Sequence, residues 1–542
     1  MIEVRAATEN DVDGIRDLFL AAYGKSYTYP AYYDPFVLKK MVFDDDTLLL
    51  VAEDNKSKVI LGTASVIFDL GAFGDLAGEF GRLVVHPDAR RRGIGKKLME
   101  KRLEIASVRL HVGFVENRVA HPFSQRISYR YGFAPAGFLP LKAYFAERES
   151  LALYVLHFGA ALRLRRNNPR VIPEVFQLAQ QVLSSCNIEP DAIIDGDSAP
   201  YPNEHEFEIE EMRTKGYASL LRFERSRSGE QEIFGPARIH QGLFSLKATH
   251  SHYVIARKAG HLVGAIGFSV DHVEKAVKIF EIVTVDQRPI RMLIEEVIDR
   301  CLKKYDMAYI ETDVGAYSPS MQRTLLELQF VPVAYIPAFA FQKAERCDVI
   351  RMARLFVPVQ LDGSSLYKTT KPVFRIIKSN FSTHDILPQL ARALPEIEMF
   401  SGLTKEQMRR LIEVCTVAEL KEGKQVVQSG QRSENALIVL NGELTVSTKL
   451  GKKHHNVGVI SAGECFGETA LLSREKHTVA ATAKVHTEVA VMSRRDLSQL
   501  IRRRPDIGVV LYKNLARSLG RKLRSMSANA AHSKQSRAGR HH

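Results

Sequence analysis

The stretch that most constrains the fold runs from Phe80 to Glu100, where an apolar strand passes through a basic, glycine-punctuated turn into a helix. Leu83, Val84 and Val85 form a continuous apolar run of the kind that is covered on both faces. His86-Pro87-Asp88 ends it. Gly93 and Gly95 then admit backbone angles closed to other residues and let a ligand approach the main chain. Leu98, Met99 and Leu103 recur at helical intervals, so the free amides of the turn lie at a helix N-terminus, where phosphate is favoured. The pattern predicts an anion cradle between strand and helix.

With 542 residues the chain is too long for one core, and its 45% hydrophobic and 25% charged residues supply several cores and exclude global disorder. No apolar run is long enough for a bilayer, and Met1 to Arg5 lacks a signal-peptide pattern, so a cytoplasmic protein without membrane contact is expected. Cys186, Cys301, Cys347, Cys415 and Cys465 are scattered without metal-ligand spacing, which predicts reduced thiols and no metal. The net charge of +14 is largely local: Arg90 to Arg92 with Lys96 and Lys97, Arg502 to Arg504, and the tail beyond Lys513. No recognition motif accompanies these clusters, so no nucleic-acid partner is expected, and residues 527–542 read as a disordered basic tail. Nothing in the sequence sets an oligomeric state.

Taken in order, Ile2 to Arg5 predicts a strand, Thr8 or Asn10 caps a helix from Asp11 to Tyr23, and Leu48 to Ala52 with Val59 to Phe68 make a hairpin. The Phe80 to Glu100 stretch follows, then a strand at Arg109 to Val115, a helix at Ala120 to Tyr131 and a strand at Gly137 to Tyr144. This order, with Arg90-Arg91-Arg92-Gly93-Ile94-Gly95 matching Arg/Gln-x-x-Gly-x-Gly/Ala, resembles the GNAT family of N-acetyltransferases over residues 1–145. The resemblance implies an α/β GNAT fold with acetyl-CoA as cofactor. Its pyrophosphate would meet Arg90, Arg91, Arg92, Gly93, Ile94, Gly95 and Lys96, its pantetheine arm would run along Leu83, Val84 and Val85, and Asn117 would touch it. Glu79 is the candidate base, or simply an exposed glutamate at a strand start. The place of the family's tyrosine acid is Ser128 here, which leaves Tyr129 and Tyr131 beside it as candidates. His121 could act as a base, or it or Ser124 could cap the helix.

Residues 146–359 repeat the rhythm. Leu151 to Leu164 reads as helix or strand by turns, Pro173 to Ser185 has helical spacing and Ser198 to Glu206 is a polar loop. A hairpin at His252 to Ala256 and Leu262 to Val270 precedes a strand at Val277 to Val285, a helix at Ile290 to Lys304, a strand at Met307 to Thr312 and a helix at Ser318 to Leu328. This looks like a second, degenerate GNAT-like domain. Its turn, Asp286 to Arg291, lacks both glycines, and Pro289 removes an amide where amides are needed. A pseudo-dimer partner that shapes the acceptor cleft and does not hold acetyl-CoA in the usual way is expected.

Residues 360–393 read as a polar, proline-closed linker. In 394–526, Thr404 and Gln407 form a capping-box pair, and turns at intervals of about ten residues predict a β-barrel or jelly roll with flanking helices. Gly463 to Ala480 resembles the phosphate-binding cassette of cyclic-nucleotide-binding domains. The resemblance implies that Phe466, Gly467, Glu468, Thr469 and Ala470 open a short helix toward a cyclic phosphate, with Glu468 on the ribose hydroxyl. His477, followed by Thr478, replaces the phosphate-pairing arginine, a weaker and pH-dependent substitute. The helix from Asp506 to Arg524 would present Val510, Leu511, Leu515, Leu519 and Leu523 as a lid or dock face. The expectation is an N-acetyltransferase acting on a protein lysine or a small amine and controlled allosterically by cAMP or cGMP. The alternative is a non-catalytic acyl-CoA and cyclic-nucleotide sensor or scaffold.

Overall fold

The computed structural model describes residues 2–68, 76–145, 147–212, 231–235, 251–359, 361–381, 397–412, 414–431, 434–450, 453–467 and 476–517. The chain divides into two compact units between Asn380 and Phe381.

The first unit is built on one sheet. Strands Ile2–Ala6, Thr47–Asp54, Ile60–Ile67 and Ala77–Val85 pair antiparallel in succession. The last of these then pairs parallel with Val112–Arg118, and the crossover that a parallel pair requires is the helix Ile94–Ala106. Its Ile94 and Leu98 pack over Leu50, Ala52 and Ala64. The opposite face takes Val12, Ile15, Leu18 and Phe19 of the helix Val12–Tyr23, packed with Leu49, Val51, Ile60 and Val84. Arg148–His157 and then Ala134–Tyr144 complete this half.

The first half therefore does not end at residue 145. Leu151 to Val155 are all buried, a continuous apolar run without a period that would distinguish strand from helix. The expected linker also begins too early. A helix at 371–381 sets Phe374 against Phe138, ring centroids 4.8 Å apart, and Thr370 bonds the Tyr154 hydroxyl at 2.6 Å.

Strands Glu208–Glu211, Ser251–Lys258, His261–Asp271, Ala276–Thr284, Tyr309–Gly315, Glu345–Leu355 and Val331–Gln342 follow the spatial order of the first seven, again with one parallel pair, Ala276–Thr284 beside Tyr309–Gly315. The two halves meet edge to edge where Ala334 pairs with Gly137. A Cβ on Gly137 would lie 2.3 Å from the Ala334 Cβ and 2.7 Å from the Val333 carbonyl oxygen, so the contact requires glycine.

Charged side chains close the joint as a ring of alternating sign. Lys142 Nζ lies 2.8 Å from Glu116 and 3.3 Å from Glu311. Lys278 lies 3.5 Å from Glu311 and 2.9 Å from Asp313, and Arg351 joins Asp313 at 2.7 Å to Glu116 at 3.0 Å. Arg351, Glu311 and Asp313 are buried. The surrounding cations hold the Glu311 and Asp313 carboxyls below their usual range against the opposing effect of burial.

The second unit packs two four-stranded sheets. Cys415–Leu420, Thr487–Ser493, Asn435–Asn441 and Cys465–Phe466 face Gln425–Val427, Ala480–Ala483, Glu443–Leu450 and Lys453–Ser461 across Leu437, Val439, Leu444, Phe466 and Val489. Thr404 and Gln407 make the reciprocal capping bonds. Leu511 and Leu515, on the helix at 505–517, are buried with Phe400, Leu411 and Ile507, so they are core residues of this unit. Leu519, Leu523 and the expected basic tail lie outside the described residues.

Two outcomes test the joint. Gly137→Val should destabilise the first unit by roughly 2 kcal/mol through overpacking, read by urea denaturation with far-UV circular dichroism. Glu311 and Asp313, with folded pKa values held below the unfolded range of roughly 4, contribute stability that is present above that pH. The first unit's urea midpoint should therefore fall as pH drops below about 4, and fall less in Glu311→Gln.

Candidate functional site

The parallel pairing of Ala77–Val85 with Val112–Arg118 stops at Glu79 and Phe114. Beyond that point Phe80 to Val85 pair only with the strand Ile60–Ile67, and Val115 to Arg118 only with Arg148–His157. A bulge opposite Thr63 to Ser65, with Arg82 at φ +52°, bends the strand where the two diverge. The result is a wedge with Glu79 at its apex, unoccupied by any strand among the described residues.

At the wide end stands the basic loop. Pro87–Ala89 makes a short turn, Arg91 takes φ +66°, and Gly93, at φ +79°, precedes the helix. Among the described residues, the amides of Arg91 to Gly95 donate to no main-chain acceptor, while those of Lys96 and Lys97 return to the Gly93 carbonyl. Arg90, Arg91, Arg92 and Lys96 are exposed around these free donors. Ile94 is buried beneath the loop, and Leu83, Val84 and Val85 form the adjoining wall. On the other wall Asn117 is buried, accepts from Ser128 Oγ at 3.2 Å, and leaves its Nδ2 without a partner among the described residues. A cradle of unpaired amides, a strand edge without a neighbour and an orphaned donor fit an anionic cofactor with a peptide-like arm.

Glu79 accepts from Arg82 Nη1 at 2.6 Å and lines a cavity of about 200 Å³ at the wedge apex. The other candidate catalytic groups do not join it there. Tyr131 donates to Glu100 at 2.6 Å, and burial together with that carboxylate pushes its phenol up to about 12. Tyr129 is exposed beside Tyr367, 5.7 Å between ring centroids. The helix Phe123–Arg130 turns Ser128 inward and its neighbours outward, so neither tyrosine takes the family's acid position. His121 lies against Phe123, its pKa lowered by burial and by Arg118. It does not cap the helix and nor does Ser124, because the N-cap is Pro122 without a side-chain bond.

Sequence reasoning missed what faces Glu79 across the cavity. Tyr29 comes from the segment after the first helix, while Glu274, Lys278, Glu311, Asp313 and Arg351 come from the second half. The available signal was charge inside apolar strands, as in Tyr309–Gly315, whose every residue is buried although it carries Glu311 and Asp313.

The second half has a wedge as well, opening beyond Ile279 and Thr312. The chain fills it. Ile233–Phe234 pairs antiparallel with Val314 and Asp313, and a Cβ on Gly235 would fall 2.2 Å from the Phe280 Cβ on the facing strand. The turn after that strand has Pro289 at the helix N-cap, as its sequence implied.

In the second unit Gly467 takes φ +81°, and the His477 ring stacks on Phe466 with centroids 6.1 Å apart. Burial lowers the imidazole pKa, and its buried Nε2 has no hydrogen-bond partner among the described residues. Thr478 is exposed, and its carbonyl accepts from Ser429 Oγ at 3.1 Å. Glu468, Thr469 and Ala470 lie outside the described residues.

Comparison with known proteins places families on both regions. Residues 45–133 match the family model "Acetyltransferase (GNAT) domain", and residues 417–504 match "Cyclic nucleotide-binding domain". The chain is 29% identical over 127 residues to the cyclic AMP receptor protein of Thermus thermophilus, covering 23% of this chain and 57% of that one. It is 28% identical over 154 residues to the cGMP-dependent protein kinase of Eimeria tenella, covering 28% and 15%. A solved structure of the Thermus thermophilus catabolite activator protein is 27% identical, covers 25% of this chain and 62% of its own, and has a TM-score of 0.23. The chain thus spans less than two thirds of each of these relatives. Its two matched regions are a GNAT acetyltransferase domain and a cyclic nucleotide-binding domain, carried on one polypeptide.

Proposed function

We propose that the chain is an acetyl-CoA-dependent N-acetyltransferase, acting on a protein lysine or a small amine, whose output is set by a cyclic nucleotide in the second unit. The observation that carries this reading is the open wedge of the first half, with the unpaired amides of Arg91 to Gly95 at its mouth and Glu79 at its apex. Acetyl-CoA, when bound, supplies an acetyl group activated as a thioester. The loop amides, with Arg90, Arg91, Arg92 and Lys96, would hold its phosphates, and Asn117 Nδ2 with the strand edge at Leu83 to Val85 would hold the arm. What remains for the protein is to position an amine and manage its proton.

The repeated strand order supports reading the second half as a degenerate GNAT-like copy. Ile233–Phe234 occupies the place that the first half leaves open, so this copy has no room for the same cofactor. Its part is to wall the acceptor cavity.

The names of the relatives support a cyclic nucleotide as effector, cAMP or cGMP. Burial disfavours the charged form of the His477 imidazole, so it is a weaker partner for the phosphate than an arginine would be. Control requires that the nucleotide bind the active and inactive states unequally. The sensor reading draws on the absence of Tyr129, Tyr131 and His121 from the cavity walls, which leaves no phenol of the helix to protonate a leaving thiolate.

Calorimetry with acetyl-CoA should show binding to the wild-type chain, weakened at least tenfold in Gly93→Val, since a β-branched residue at φ +79° costs of order 1–2 kcal/mol. Thiol release from acetyl-CoA over a panel of amines should be measurable, and its complete absence despite cofactor binding would favour the sensor. His477→Arg should tighten cAMP or cGMP binding about tenfold by adding a charge-assisted bond, and an unchanged or absent affinity would remove the nucleotide from the reading.

A further inference from the structure

The cavity at the wedge apex is shared by both halves, and its charges do not cancel. Glu116, Glu311 and Asp313 are matched by Lys142, Lys278 and Arg351 in the ring, and Glu79 is matched by Arg82. Glu274 is left over. Its Oε1 accepts from the Tyr29 hydroxyl at 2.9 Å, and among the described residues no cation forms an ion pair with it.

The position of Glu274 is imposed by the fold. It lies in the turn between His261–Asp271 and Ala276–Thr284, whose Asp271 side chain accepts from the Val273 and Glu274 amides. Arg148 of the first half donates to the Glu274 carbonyl at 2.6 Å and ties the turn across the joint. Tyr29, which holds the carboxylate, also lies under the Arg82 guanidinium, 5.6 Å from the ring centroid. Glu79, Arg82, Tyr29 and Glu274 thus form one chain of contacts from the wedge apex to the second half. Phe114 and Phe339, centroids 5.7 Å apart, supply apolar wall for an alkyl stem.

Resting on the acetyltransferase reading, we propose that this cavity receives the acceptor as an alkylammonium ion and that Glu274, not Glu79, takes its proton. A cavity with one unmatched carboxylate selects a single positive charge. Glu79 is committed to Arg82 at 2.6 Å, whereas Glu274 has a neutral phenol as its hydrogen-bond partner and feels Lys142 and Arg148 only through space. The step is R–NH3+ with the Glu274 carboxylate giving R–NH2 and the carboxylic acid, which leaves the nitrogen lone pair free for acyl transfer. Burial supports the assignment by pushing the Glu274 carboxyl up to about 7, near the value suited to a base at neutral pH. The groups acting on it are Lys142, Tyr29 and Arg148, which lower its pKa, and Asp271 and Glu116, which raise it.

The test uses the full chain and two probes, butylammonium and the peptide Ala-Lys-Ala, which separate a free amine from a lysine side chain. Each is titrated without acetyl-CoA and then assayed for acetylation with it. The expected result is that one probe binds wild type, that Glu274→Gln binds it at least tenfold more weakly, and that transfer falls about 100-fold. Acetyl-CoA affinity and the melting curve should stay unchanged. Tyr29→Phe keeps the carboxylate but removes the bond that lowers its pKa, so the acid limb of kcat/KM should move to higher pH. Glu274→Gln binding and transferring within threefold of wild type, or a Tyr29→Phe limb that does not move, would overturn the proposal and leave the acetyltransferase reading standing. A wild-type chain that holds acetyl-CoA but neither binds nor acetylates either probe would remove both.

Discussion

The first unit depends on a closed ring of six charges. Two of its members, Glu116 and Lys142, belong to one half of the sheet and four, Lys278, Glu311, Asp313 and Arg351, to the other. Taking such groups out of water costs several kcal/mol per ion, and alternation is what makes it tolerable, since every charge has an opposite neighbour on both sides. The backbone joint at Gly137 is a single pairing among the described residues, and the ring, together with bonds such as Arg148 to the Glu274 carbonyl, holds the two strand sets around the cavity between them.

That dependence explains which parts of the molecule were legible in the sequence. The cradle was, because strand, turn and helix are consecutive, and Gly93 and Gly95 mark it without reference to anything distant. The jelly roll was, because its turns recur at short intervals. Arg148–His157 was not, since full burial erases alternation, and the boundary placed at 145 cut a hairpin that the sheet holds intact. The helix at 371–381 was read as linker because polar flanking residues masked Val373, Phe374 and Ile377, all buried.

Chemistry was harder to read than fold. Tyr129 and Tyr131 were favoured by nearness to Ser128, yet Tyr129 points about 100° away from it on the helix and is exposed, and Tyr131, just past the helix end, is engaged by Glu100. Glu79 lies at the wedge apex, and its partner Arg82, three residues on, comes into reach through the bulge that puts Arg82 at positive φ. Glu274 stands nearly two hundred positions from Glu79 in sequence. No local pattern could connect them, because the connection passes through Tyr29 and the joint.

Ile233–Phe234 carries a consequence of a different kind. A strand supplied by the same chain is tethered covalently, and its supply does not fall when a metabolite pool is depleted. The second half is in this sense permanently liganded. Any stabilisation of the first unit through its wedges by a fluctuating metabolite must therefore enter through one side only, so that two halves alike in strand order become unequal partners: one a constant, the other a variable.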